Sequence, residues 1–526
     1  MDTKLYLGAS VLGTLASRPA DGIFSPDAFK IFITLLSSFA LIHAVYALWI
    51  YPNHVSPLRH LPGPKDHYPI AGQLLNQFLS GSPQEPFISW MKKWPDAELI
   101  RYYGPGHSDA VLVIGLGAWR EIMSVHPDSF GKPTLWEKLV RPIVGKGLVF
   151  AEGEEHKAHR KLLSGPFSLT KLKRLIPVFQ TKAKELSTYF DKQIETNEGV
   201  VELVSTFSSI TLDIIGIAAL GVNLQNLETP TPFHESYTHV FDPPPLGQAL
   251  LALNAFVPIR WIPLAENLQF ERANAEIHRL VLKIVRDRTA KVLAGKEEGG
   301  EAEKETQERR DLLTYIIEET YATENPWTEE EIVGHMLNMI AAGHETTASA
   351  LQWAVSMLVK HPSIQTRLRA EIHGVLGPSR DTTTLGYSEI ESLGYLNNFS
   401  IAAPRQAKTD ITIANTLIPR GTTLTLMPSA VQLNPLIWGP DAETFNPDRW
   451  DVPSDRDVHA FAAFSQGPRQ CIGRVFSMLE FKILIIEMAA RFQFEQFGTE
   501  GDKIQLVNPS PLLRPKGGLR VRVSRI

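Results

Sequence analysis

The chain has 526 residues, a length that sets a soft prior of roughly three or four domains, and no segment repeats at a fixed period. Lys and Arg number 52 against 57 Asp and Glu, and a net charge of −5 supplies no basic excess for a nucleic-acid backbone. A hydrophobic share of 44% with 21% charged residues fits a globular chain, and a single Cys excludes an intramolecular disulfide framework and multi-cysteine zinc sites.

Residues 31–50 (IFITLLSSFALIHAVYALWI) run without Asp, Glu, Lys or Arg. As a helix rising about 1.5 Å per residue, the stretch matches a hydrocarbon core about 30 Å thick. Asp27 and Lys30 bound it on one side, and Trp49 and Tyr51 suit the far interface. It starts too far along the chain for a cleaved signal peptide and lacks a small-residue cleavage site. The apolar patch 6–16 is too short to span alone. Lys4, Arg18 and Lys30, set against Asp2, Asp21 and Asp27, do not orient the anchor. The chain therefore reads as an N-terminal segment (1–30), a transmembrane anchor (31–51), a stiff Pro-rich linker (52–70) and one large domain (71–526).

Within that domain, residues 99–102 and 110–114 alternate like strands closed by Gly115 and Gly117. Helical spacing follows through residues 155–220, as at Leu172, Leu175, Ile176 and Phe179. Prolines at 230, 232, 243, 244 and 245 predict a long loop, and residues 295–310 a solvated polar one. Thr328 with Glu331 is a capping box that opens a long helix, ended by His361-Pro362. Strand-like runs follow Arg405 (Ile411, Ile413; Leu424, Leu426), then an irregular stretch to Pro447 and a helix over residues 471–492. The sum is mainly α with a minor β-sheet region.

The only cysteine stands in Phe464-Ser465-Gln466-Gly467-Pro468-Arg469-Gln470-Cys471-Ile472-Gly473. Gly467 and Gly473 bracket it and admit a positive-φ bend that turns amides toward the sulfur. Those amides, and a helix beginning near Ile472, favour the thiolate that a soft metal needs. Arg469 can reach an anionic group on the same ligand. Upstream, the long helix carries Ala342-Gly343-His344-Glu345-Thr346-Thr347. A helical Gly costs about 1 kcal/mol relative to Ala, and Thr can bond back to the carbonyl four residues earlier. The combination predicts a local opening of the hydrogen-bond ladder with room for a diatomic ligand and water. There, Glu345 beside Thr346 can relay protons from solvent. A bent Ser/Thr-rich helix is the alternative for that segment taken alone.

The pattern F-x-x-G-x-R-x-C-x-G resembles the heme-binding loop of the cytochrome P450 family, and A-G-H-E-T-T is similar to that family's oxygen-activating motif. The resemblance implies a cytochrome P450 fold over everything from about Leu61 onward. It makes Cys471 the axial ligand of the iron of heme b (iron-protoporphyrin IX), with Phe464 shielding the sulfur and Arg469 pairing with a propionate. Glu345 and Thr346 become the acid–alcohol pair of oxygen activation. His156 and Arg160, four apart on one helical face, take the place of the family's W-x-x-x-R propionate contact, and Arg405 resembles another propionate-facing arginine. Phe445-Asn446-Pro447-Asp448-Arg449-Trp450 resembles the segment preceding the thiol loop.

One family element is missing. Its E-x-x-R helix should lie between the oxygen helix and that segment, but residues 394–400 read as its lead-in and then jump to Pro404-Arg405. The spacings Glu98–Arg101 and Glu276–Arg279 lie upstream of the oxygen helix, in the wrong place. Without triad partners, Arg449 is expected to be a buried unpaired charge, costing about 3–5 kcal/mol. Asn398-Phe399-Ser400 is a glycosylation sequon, inert on a cytosolic face.

The resemblance implies a microsomal, fungal-type monooxygenase that inserts one atom of O2 into an apolar small molecule, in secondary metabolism or xenobiotic oxidation. Its partners would be a membrane-bound NADPH–cytochrome P450 reductase, the substrate and the membrane, with no nucleic acid. Its place would be the endoplasmic reticulum, single-pass, with a cytosolic catalytic domain. The alternatives are a peroxide-driven P450 and an inactive, heme-free membrane-anchored remnant. Residues 135–148, 246–262 and 338–342, with Val144, Phe256, Trp261 and Met339, are expected over the heme, and a terpenoid, steroid, aromatic or fatty substrate would suit them.

Overall fold

The computed structural model describes residues 3–16, 26–298, 311–377, 381–392, 403–450, 458–498, 504–507 and 513–526. Helix α1 (Thr3–Ala16) packs on α2 (Pro26–Val45), so closely that a Cβ at Gly13 would lie 2.8 Å from Leu35 Cδ1. A π-helical continuation, Tyr46–Val55, extends α2 into a 30-residue apolar helix with a mean hydropathy of 2.1 over its most apolar window, none of it buried. By length and composition it is able to cross a bilayer. The expected linker is not a free spacer. The helix runs through Pro52, whose carbonyl accepts from Arg101 Nη2 (3.0 Å), and the Pro62 carbonyl accepts the Arg101 amide (2.9 Å).

That edge belongs to a five-stranded sheet whose strands lie in the order 99–103, 109–113, 423–426, 403–407 and 130–131. Strands β1 (Leu99–Tyr103) and β2 (Asp109–Val113) form the expected hairpin, and β3 is Phe130–Gly131. The two upstream E-x-x-R spacings prove structural. Glu98 accepts the Ala118 amide (2.9 Å), Arg101 pairs with Asp109 (2.6 Å), and Glu276–Arg279 (2.6 Å) is a surface pair on a later helix.

The helical layer follows in sequence: α3 (Thr134–Val144), α4 (Gly153–Ser164), α5 (Ile176–Thr196), strand β4 (Val200–Glu202) and α6 (Leu203–Ile215). Helix α6 with its π-helical extension is apolar enough to pass for a second membrane span, yet it is 78% buried and forms the centre of the core. The prolines at 230–245 do not make one long loop. Pro232 opens α7 (Pro232–Phe241) behind its N-cap Thr231, and Pro245 opens α8 (Pro245–Asn254), because a first-turn proline forfeits no intrahelical bond. Helix α9 spans Ala265–Glu298, so the expected polar loop begins later than residue 295, and 299–310 lie outside the described residues.

After α10 (Leu312–Thr320) comes α11 (Glu329–Lys360), opened by the Thr328–Glu331 capping box and closed at His361. It is followed by α12 (Pro362–Leu376) and α13 (Tyr387–Ser392), then β5 (Ala403–Ala407), β6 (Ile411–Ile413), β7 (Thr416–Ile418) and β8 (Thr423–Leu426). Strand β5 pairs with β3 and β8, and β8 runs parallel to β2. Helix α14 (Arg474–Arg491) leads to β9 (Phe492–Gln496), which joins β4 through β10 (Arg520–Arg525). Residues 393–402, including the sequon, lie outside the described residues.

Candidate active site

Two core helices meet at the site. α11 crosses α6 with almost no gap, since a Cβ at Gly343 would fall 2.8 Å from Ile215 Cδ1, and α11 also packs on the segment after α3, where a Cβ at Gly334 would fall 1.9 Å from the Lys146 carbonyl. Gly343 therefore serves close helix packing. The expected opening of the hydrogen-bond ladder is not observed, and α11 is continuous through residues 342–347. Thr346 does bond back, its hydroxyl donating to the Ala342 carbonyl at 2.7 Å. Ala342 is exposed although residues 332–340 just before it are buried.

The thiol loop precedes α14, whose N-cap is Gly473. Gly467 takes φ +67°, and a Cβ there would lie 2.0 Å from the Met123 carbonyl, so only glycine fits. Gly473 has an ordinary negative φ (−83°), correcting the expectation of a positive one, and its missing Cβ leaves space 3.9 Å from Cys471 Sγ. The Cys471 amide donates to the Phe464 carbonyl (2.9 Å), which closes the loop. The sulfur is open on one side and surrounded by protein on the others. Burial pushes the thiol up, and the Gly473 amide, then Arg160 and Arg474, recover only part. The expected thiolate preference is thus outweighed by desolvation, and a cation at the sulfur would reverse that balance.

Beside the loop lies a concentration of cations. Arg469 donates to the Ala151 carbonyl (2.7 Å) and pairs with Glu152 (3.0 Å), and Arg160 donates to the Gln470 carbonyl (2.6 Å). Arg405, on β5, is buried, and among the described residues its one side-chain hydrogen bond is to the adjacent Pro404 carbonyl (3.1 Å). Burial and then Arg469 lower it to about 10. His156, also buried, is lowered to about 4 by burial, Arg469 and Arg160. Lys132 joins them, lowered to about 7 by burial and then Arg405 and Arg469. The sequence reading missed Lys132 and Glu152, because neither stands in a motif and only the fold brings them here. Among the described residues Glu152 is the one carboxylate that acts on this group, and it is shared with Lys408 (2.9 Å), so there the cations outnumber the anions.

That imbalance is the test of fit for heme. A ligand carrying two carboxylates, with a metal for the sulfur, would answer both the crowded cations and the thiol.

Glu345 does not face solvent freely. It is largely covered and ion-paired with Arg514 from the C-terminal segment. Burial pushes its carboxyl up, but Arg514 and then His344 hold it below the usual range. Arg449, expected to be unpaired, forms a fork to Asp441 (2.9 and 3.3 Å) and donates to the carbonyls of Trp438 (2.8 Å) and Asp441 (2.9 Å). The E-x-x-R partners are replaced by a residue of its own segment. Of the apolar candidates, Val144 and Met339 are buried, whereas Phe256 and Trp261 are exposed. Asn338 is structural, tying α11 to the Val144 carbonyl (2.8 Å) and the Val149 amide (3.0 Å).

A loop built around one thiol, a cation cluster beside it and a Glu-Thr pair on the crossing helix define a heme-thiolate oxygenase class. The family model for cytochrome P450 matches residues 62–522, and the chain belongs to that family. It is 31% identical to the cytochrome P450 monooxygenase sphH of Aspergillus fumigatus, covering 93% of each chain. It is 30% identical to the cytochrome P450 monooxygenase FUM15 of Gibberella moniliformis, covering 94% of each. The chain is thus a fungal-type P450 monooxygenase, and the family implies heme.

Proposed function

We propose that Cys471 ligates heme iron and that Lys132, His156, Arg160, Arg405 and Arg469 receive its propionates. The observation that carries this reading is the surplus of buried and half-buried cations next to the one thiol. Bound there, heme would supply the activation of O2, one atom entering an apolar small molecule and the other leaving as water. Phe464 shields the sulfur, and Arg474 lies over its ring at 6.0 Å. Glu345 takes up protons and passes them to Thr346, whose hydroxyl is held by the Ala342 carbonyl until it is needed.

Buried Val144 and Met339 support an apolar substrate, in keeping with a terpenoid, steroid, aromatic or fatty compound of secondary metabolism. The apolar N-terminal helix supports a single-pass anchor in the endoplasmic reticulum with the domain cytosolic, served by an NADPH–cytochrome P450 reductase in the same membrane. The pairing of Arg449 with Asp441 supports an active enzyme over a remnant.

The test is spectroscopic. Purified chain, reduced under CO, should show the red-shifted band of thiolate ligation, and Cys471→Ser should lose it. A Ser variant with an unchanged spectrum would overturn the assignment. NADPH consumption that needs reductase separates this reading from a peroxide-driven one.

A further inference from the structure

Arg514 has no place in the motifs above, yet it makes the most committed contact that the catalytic acid has. The C-terminal segment is stapled along α11. The Leu513 carbonyl accepts from Trp353 Nε1 (2.9 Å), Ser349 Oγ (3.4 Å) and Gln352 Nε2 (3.5 Å). Positions 345, 349, 352 and 353 share one helical face, so the same strap sets Arg514 over Glu345. Its backbone is fixed in turn, the Arg514 carbonyl accepting the Val507 amide at 2.8 Å.

The guanidinium is shared. One end pairs with Glu345, and Nη1 reaches Asp242 Oδ1 at 3.4 Å. The two carboxylates differ in setting: Glu345 keeps 13% of its side-chain exposure and Asp242 keeps 48%. Asp242 caps the C-terminus of α7 and directly precedes the proline run that leads to α8. The other groups about Glu345 are His344 Nδ1 (3.6 Å) on its own helix, Ser208 behind His344 (2.9 Å) on α6, and His234 and Tyr237 on α7. Arg514 is the only arginine or lysine among them.

We propose that Arg514 is a positioning residue that keeps Glu345 ionised, and that its transfer to Asp242 frees Glu345 to carry a proton. The proposal rests on the reading of Glu345–Thr346 as the proton-delivering pair. With Arg514 withdrawn, a buried carboxylate without its counter-charge takes one proton from solvent water. Glu345 gives that proton to the Thr346 hydroxyl, which passes its own to the oxygen being reduced. Glu345 is again a carboxylate and re-pairs with Arg514, so one solvent proton is delivered per cycle. Because Asp242 ends a helix beside the apolar segment 246–262, movement of that segment and proton delivery are linked through one side chain.

The test uses the full-length heme-loaded chain, first shown to give the reduced-CO band. A missing band would sink the heme-thiolate reading and not this proposal. Infrared difference spectra then read the C=O stretch of a protonated carboxylic acid. The parent and Arg514→Lys should show none assignable to Glu345. Arg514→Gln should gain one, and R514Q/E345Q should lose it again. Asp242→Asn, a half-exposed site that preserves the fold, should leave Glu345 ionised and lower reductase-driven NADPH consumption roughly tenfold, with a larger solvent isotope effect. Should R514Q fail to fold, R514K and D242N still decide. A Glu345 acid band in the parent, no band in R514Q, or unchanged turnover in D242N would overturn the proposal.

Discussion

Lys132 offers the sharpest quantitative handle on the site. Burial, then Arg405 and Arg469, lower its ammonium from 10.5 to about 7, with Glu152 opposing them only in part. That difference corresponds to about 5 kcal/mol between the two protonation states. Because the folded value lies below the unfolded one, the unfolded chain holds more protons between about pH 7 and pH 10.5. The heme-free protein should therefore gain stability as pH rises through that window, by up to about 1.4 kcal/mol per pH unit, and be weakest below it. Lys132→Met keeps the apolar stem and removes the charge. Urea denaturation of the heme-free chain at pH 7, 8 and 9 should show the variant several kcal/mol more stable than the parent at pH 7, with the gap closing as pH rises. Heme adds two carboxylates to the cluster, so Lys132 should regain its proton on binding. At pH 8 the parent should take up about one proton per heme, read from the dependence of binding heat on buffer ionisation enthalpy, and K132M should not. Identical pH slopes for parent and variant would refute the reasoning.

Two further outcomes follow from buried charges. Asp441→Asn leaves Arg449 its two carbonyl acceptors, and Asp441 is 49% exposed, so the cost should be about 1 kcal/mol. A loss near the 3–5 kcal/mol of a stranded buried charge, read from the denaturation midpoint, would show that the fork carries far more than this. Glu480, on α14, is fully buried with neither carboxylate oxygen hydrogen-bonded among the described residues. Burial pushes its carboxyl well above the usual range, and the nearby Thr347 hydroxyl only partly offsets this. The unfolded chain ionises first, so Glu480 subtracts stability increasingly above about pH 4.5. Glu480→Gln should raise the thermal midpoint at pH 7 and flatten its decline with pH. A lower midpoint would mean that the carboxyl is ionised and paired.

The helix starts and the first hairpin were legible because they rest on local chemistry. The Thr328–Glu331 box and the alternation in residues 99–113 need nothing from the rest of the chain. The proline-rich stretch misled because proline marks both loops and first helical turns, and only packing decides which. Gly343 misled in the same way: a helical glycine signals either a weakened ladder or a close neighbour, and Ile215 is 128 positions away in sequence. Within the site, Cys471, Phe464 and Arg469 could be read as a motif because one loop holds all three. Lys132, Glu152 and Arg514 could not, since each acts through a charge placed there by another element.

Consistency between local preference and global fold is what makes a chain foldable, so the places where it fails point to function. Most of this core obeys the rule. The site beside Cys471 does not: a lysine is pushed down to about 7, an arginine to about 10 and a histidine to about 4, by burial first and then by the neighbouring cations. Hydrophobic residues of similar size would fold more easily at every one of these positions. The repulsion among these side chains has no structural return, and on the proposed reading a dianionic ligand with a metal for the thiol would turn it into attraction. Arg449, expected from the sequence to lack its E-x-x-R partners, behaves differently. Arg449 is satisfied by its own segment, whereas Arg405, Lys132 and His156 would, on the proposed reading, be satisfied by the propionates.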